Sequence, residues 1–295
     1  MKILLSSNIL FSGIVALTSL YSGFSIRDRV GALVTLVKGE NHGDFYLLVR
    51  RNKSIYQFFW NKNSTDAKGA TASNPDVVLF HESSLTESMR NYIQAQTPEL
   101  PLKFIYIQFD GFAKFNNISD KSAGYKQVYE NCHPTGWSNS FKIGYKNMCR
   151  FWFIGFLDYL REYDWMLRLD PDCEFEEDSR DSIPPAQNVF ISSPAWLPLH
   201  HQRFDKISTT YDGEVVKGMG PFVREFIRMA TEEKLPKIDS WHAPYTNAMF
   251  MNLSMLYANN TLESKLIWKF LQAVDDSNCI YSNRWYHLPV IFFER

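Results

Sequence analysis

Asp170-Pro171-Asp172 sets two carboxylates two residues apart, directly after the apolar run Trp165-Met166-Leu167-Arg168-Leu169. Hard oxygen donors this close suit a hard divalent cation, which in turn suits the oxygens of a substrate diphosphate. The preceding run reads as a buried strand. Ligands of an α/β sheet gather in the crevice beyond the carboxyl ends of its strands. The chemistry this combination points to is transfer from a sugar nucleotide. The tripeptide is equally ordinary turn chemistry, because Pro presets φ and Asp bonds its own backbone nearby. From the residues alone both readings stay open.

Other reactive side chains surround this run in sequence. Residues 141–163 carry Tyr145, Cys149, Trp152, Phe156 and Leu160 at helical spacing, a stripe suited to core packing. Arg150 lies among apolar neighbours, and burying a guanidinium calls for a carboxylate or phosphate partner. An acidic residue near Asp170 is the partner expected, with an Arg lying along the helix surface as the alternative. His200 and His201 are adjacent, so they point to opposite faces of a strand and share no ligand face on a helix. Cys132, Cys149, Cys173 and Cys279 are widely spaced without a Cys-x-x-Cys pair, which disfavours zinc and allows one or two disulfides.

The elements that must position these residues follow from pattern. Ala32 to Val37 reads as a buried first strand, and residues 44–59 show helical spacing. Asp76 to Phe80 is a second strand and Leu102 to Phe109 a third. Ser84 with Glu87 fits a capping box for the helix between them, through about Ala95. Strand, helix, strand, helix, strand predicts an α/β sheet with parallel neighbours. Residues 61–74 form a loop, and residues 110–140 a long polar insertion of the kind that makes lids or irregular surface. Further on, residues 188–193 read as a strand, Gly220-Pro221 opens a helix to about Glu233, and residues 262–274 form another helix. No linker divides the chain, so residues 30–295 are expected to form one domain.

With 295 residues and 45% hydrophobic content the chain can bury one large core or two modest ones. A net charge of −1 gives no basic field for nucleic acid. Residues 1–29 contain an uncharged run from Ile3 to Ile26, long enough to cross a bilayer although rich in Ser. An uncleaved signal-anchor with a lumenal body is expected, and a cleaved signal peptide is the alternative. Asn-x-Ser/Thr sequons at Asn52, Asn63, Asn117, Asn252 and Asn259 agree with a secretory compartment.

Set side by side, these blocks resemble the fungal α-1,2-mannosyltransferases of glycosyltransferase family 15. The family's Tyr-x-x-Met-Cys-Arg-Phe stands intact as Tyr145, Met148, Cys149, Arg150 and Phe151. Its Tyr-x-Trp-Arg-x-Glu-Pro is similar to Trp165 through Pro171. Its Arg-Trp-Gly-Asp-Ala-Pro-Val-His is similar to the segment from Arg284 to Ile291.

The resemblance implies a GT-A-like, Rossmann-like mixed sheet flanked by helices behind the anchor. It also implies a GDP-mannose donor, Mn²⁺, and transfer with retention to a glycan or glycoprotein acceptor at the Golgi or endoplasmic reticulum membrane. Tyr145, Arg150 and Arg168 are then the catalytic set. Asp172, Tyr245 and Arg284 hold the donor, and Asp170, Asp172 and His287 the metal, with Asp170 replacing the family's Glu. The departures are equally specific. Ile291 stands where the family has a metal-binding His, Met255 where it has a Glu suspected as nucleophile, and a C-terminal portion of the family has no counterpart. A lumenal binding or scaffold protein that has lost the chemistry, or a transferase using another nucleotide sugar, are the alternatives.

Overall fold

The computed structural model describes residues 30–39, 42–60, 74–109, 143–175, 191–192, 199–200, 209–210, 242–243, 248–258, 261–277 and 279–280, with isolated positions between 222 and 229. The expected membrane segment, the polar insertion, Tyr245, Arg284 and His287 lie outside the described residues. Among the described residues no helix is long and apolar enough to cross a membrane.

The chain opens with β1 (Gly31–Val37), α1 (His42–Ile55) and a π-helical turn at Tyr56–Trp60. Next come β2 (Asp76–His81), α2 (Glu87–Gln96) and β3 (Leu102–Tyr106). Then α3 (Ile143–Phe153) and a 3₁₀ turn (Gly155–Asp158) lead into β4 (Trp165–Leu169). Short strands β5 (Glu174–Phe175), β6 (Ile191–Ser192), β7 (Leu199–His200), β8 (Thr209–Thr210) and β9 (His242–Ala243) follow. The chain closes with β10 (Ala248–Asn252), α4 (Leu253–Tyr257) and α5 (Leu262–Ser277).

Six strands form one mixed sheet in the order β3-β2-β1-β4-β10-β6. β1 to β4 run parallel, with Val34 opposite Val78 on one side and Arg168 on the other. β10 is antiparallel to β4, pairing Ala248 with Leu169. The central strands are nearly continuous apolar runs because helices cover both faces. Ala32, Val34, Phe80, Met166 and Met251 pack towards α3, α4 and α5. Leu33, Leu167, Leu169 and Phe250 form a second core on the other face, and Val37 and Leu79 a third beside Phe45 and Leu48 of α1. At Gly31 a Cβ would sit 2.0 Å from the Trp165 indole, so close ring-on-backbone packing requires glycine there.

Two local expectations are corrected. The helix over 141–163 ends at Phe153, since Ile154 takes φ −143° and the chain tightens into the 3₁₀ turn starting at Gly155. Phe156 and Leu160 are nonetheless fully buried, so the apolar stripe was a packing signal extending past the helix. The cap of α2 is Thr86, whose hydroxyl accepts from Met89 N, rather than Ser84. Ser84 Oγ instead accepts from Gly39 N at 3.3 Å, joining the carboxyl ends of β1 and β2. Of the cysteines, Cys279 is disulfide-bonded, while Cys149 and Cys173 are buried reduced thiols.

Candidate active site

After β1 the chain adds β2 and β3 on one side, and β4 then pairs on the other. The reversal makes the carboxyl ends of β1 and β4 a topological switch point, the place where an open α/β sheet leaves a crevice. β4 delivers Asp170-Pro171-Asp172 to that point. Cys173 N donates to the carbonyl of Asp170 at 3.0 Å, closing a turn with Pro171 at its second position. The turn and the strand-end acid pair are therefore one structure, and the two readings of the tripeptide coexist.

Side-chain alternation sends Arg168 to the α3 face of β4. There its guanidinium lies 4.4 Å from the centroid of Trp152, and the side chain is 6% exposed. Its Nε and a terminal nitrogen donate to Asp170 Oδ1 at 3.1 and 2.9 Å. The Asp170 side chain remains 24% exposed, held from beneath and reachable from outside. A carboxylate fixed in this way has a defined direction before any ligand arrives.

From the opposite face α1 contributes Arg51, which sequence reasoning missed. Arg51 is 1% exposed and donates to the Leu169 carbonyl at 3.2 Å and to Asn52 Oδ1 at 2.8 Å. Burial lowers its pKa to about 9, against the pull of the Asp170 carboxylate, which favours the cation. The signal was present: Arg51 falls between Leu48 and Ile55 on the buried stripe of α1. Ser54 Oγ accepts from Phe175 N at 3.0 Å, and Arg50 pairs with Glu174 at 3.0 Å, so α1 also holds the segment after the turn. Burial, then the nearby carboxylates of Asp170 and Asp172, push the Cys173 thiol well above its ordinary pKa. Buried in the fold, it is held in the protonated form.

The other expected residues are placed differently. Arg150 does not reach the Asp170 turn. It forms a bidentate pair with Asp275 of α5 at 2.6 and 2.7 Å, beside a cleft of about 350 Å³ between α3 and α5. Helical phase explains this, since Arg150 lies two residues from Trp152, some 200° around the helix. Tyr145 is half-buried on α3 and packs against the main core. Met255, at the family's Glu position, packs against the same core from α4. Asn52 and Asn252 are 0% and 2% exposed, so two of the five sequons are buried within the fold.

The chemistry of the donor set fits a hard cation: Asp170 and Asp172 supply carboxylate oxygens, and such ions commonly take one or two carboxylates together with substrate phosphates. Among the described residues no group of three His, Cys, Asp or Glu is gathered for a metal.

Two solved structures resemble the chain over most of its length. Core-mannan synthase A of Aspergillus fumigatus, in a Mn/GDP form, matches with a TM-score of 0.54 at 14% identity, over 92% of this chain and 72% of that one. The mannosyltransferase Ktr4p of S. cerevisiae matches with a TM-score of 0.55 at 15% identity, over 99% and 76%. The chain shares the fold of these two proteins. No protein-family model and no curated protein matches its sequence.

Proposed function

We propose that this chain is a metal-dependent retaining glycosyltransferase that moves mannose from GDP-mannose to a glycan acceptor, with α-1,2 linkage. The observation that carries the reading is Asp170-Pro171-Asp172 at the β1/β4 switch point, in a fold shared with a core-mannan synthase and a mannosyltransferase. That one of these was solved in a Mn/GDP form supports the choice of metal and nucleotide. Asp170 and Asp172 would hold Mn²⁺, with His287 as a further ligand. The bound cation supplies neutralisation of the charge that gathers on the departing diphosphate.

The residues of the chain divide the remaining work. Arg168 fixes Asp170 through Oδ1 and is itself fixed by the Trp152 ring. Tyr145, Asp172, Tyr245 and Arg284 bind and orient the donor, and Tyr145 can serve an acceptor hydroxyl. In this reading residues 1–29 tether the domain to the Golgi or endoplasmic reticulum membrane, with residues 30–295 lumenal.

A second reading, a binding protein of the same fold without transfer, is favoured by one observation. The position of the family's Glu is Met255, a partly buried apolar side chain packed against the core. Titrating the protein with GDP, with and without Mn²⁺, and assaying mannosyl transfer separates the two. The enzyme binds GDP in a Mn²⁺-dependent way, transfers mannose, and loses transfer as Asp170→Ala while staying folded. Metal-dependent binding without transfer supports the binding protein. Transfer unaltered in Asp170→Ala removes the metal role.

A further inference from the structure

We infer that Thr35 and Arg51 are positioning residues for the proposed metal site, clamping the backbone from which Asp170 leaves β4. The inference rests on the reading of Asp170 given under Proposed function.

Leu169 is the last residue of β4, and its carbonyl accepts from two side chains at once: the Thr35 hydroxyl of β1 and the Arg51 guanidinium of α1. All three residues are buried. A threonine in the middle of the central strand is costly to bury unless its hydroxyl is bonded. A buried guanidinium costs more. Strand alternation places Leu33, Thr35 and Val37 on the α1 face of β1, where Leu33 and Val37 join apolar clusters. The hydroxyl of β1 and the guanidinium of α1 converge on one oxygen, and that oxygen belongs to the peptide unit leading into Asp170.

The consequence is geometric. Arg168 holds the Asp170 carboxylate from the α3 face, while Thr35 and Arg51 hold the preceding carbonyl from the α1 face. The Asp170–Cys173 turn is thus pinned on both sides of the sheet before any ligand is present. Partners that orient metal ligands in this way are worth about 10–100-fold in metal affinity. Arg51 also reaches Asn52 Oδ1 with its Nε and a terminal nitrogen, a fork that a lysine cannot reproduce.

The test uses the full chain and three variants: Thr35→Val, which keeps shape and removes the hydroxyl, Thr35→Ser, which restores it, and Arg51→Lys. Hydrogen exchange is followed across residues 165–175, and Mn²⁺-dependent GDP binding by calorimetry. Thr35→Val and Arg51→Lys should each speed exchange at the Asp170–Cys173 turn and weaken Mn²⁺-dependent binding by about tenfold, with Thr35→Ser close to the parent in both. A role in stability alone would lower the melting temperature and leave turn exchange and metal affinity unchanged, which overturns the inference. If the parent shows no Mn²⁺-dependent GDP binding, the functional reading fails instead, and exchange at the turn alone decides the clamp.

Discussion

The guanidinium of Arg150 meets the carboxylate of Asp275 through two hydrogen bonds of 2.6 and 2.7 Å, fastening α3 to α5. Both side chains are 16% exposed, so water screens the pair only in part. Arg150→Met should lower stability by about 3 kcal/mol, because it strands a largely buried carboxylate. Arg150→Met combined with Asp275→Leu should recover much of that loss. Urea denaturation of the parent and the two variants measures both, and a negligible single-variant effect would show that the pair contributes little.

Arg168 joins Trp152 to Asp170, and each contact has its own variant. Arg168→Lys keeps the charge but cannot place two donors on Oδ1 while lying flat on the indole. Mn²⁺-dependent GDP binding should weaken by about 10–100-fold. Trp152→Leu should weaken it less, since the fork remains and only the ring beneath it is lost. Calorimetry on the two variants gives the ranking, and the reverse order would place the main constraint in the ring.

Tyr163 O–H donates to Asp76 Oδ2 at 2.8 Å, and Lys103 Nζ donates to the same carboxylate and to the Tyr163 oxygen. Burial, then the hydrogen bond to Asp76, raise the Tyr163 pKa above its ordinary 10.0. The hydrogen bond to Asp76 likewise raises that of Lys103. Both groups hold protons in the fold that the unfolded chain releases. Their contribution is fully present below pH about 10 and is lost as pH rises beyond it. Denaturation midpoints should therefore fall above pH about 10, and the fall should be shallower in Tyr163→Phe. Parallel slopes for parent and variant would remove Tyr163 from this role.

Asn52 and Asn252 are sequon asparagines buried in α1 and at the end of β10. A glycan on either would prevent the packing seen here. Protein secreted from a eukaryotic host should carry unmodified Asn52 and Asn252, read by mass spectrometry of proteolytic peptides. A folded, fully glycosylated Asn52 would contradict the placement of α1.

Much of this architecture is written locally. The β-branched run at 32–37, the apolar runs at 76–80 and 165–169, and the helical spacing of 262–274 each bury themselves whatever their neighbours, so period and composition locate them. The same holds for the strand that ends in Asp170-Pro171-Asp172, since the apolar run and the proline are adjacent in the chain. Where α3 stops was less legible, because Phe156 and Leu160 continue its apolar stripe after Ile154 has left the helix.

What only tertiary structure decided is which distant groups meet. The partner of Arg150 is 125 residues away on α5, and helical phase turns it from the acidic turn that sequence proximity favoured. Arg51 and Thr35 lie 118 and 134 residues before the carbonyl they share, joined to it by the parallel pairing of β1 with β4 and the packing of α1. A chain can state that a buried arginine needs an acceptor. It cannot state which one, because that depends on the order of strands in the sheet, and the order is set by how all the apolar faces are covered together.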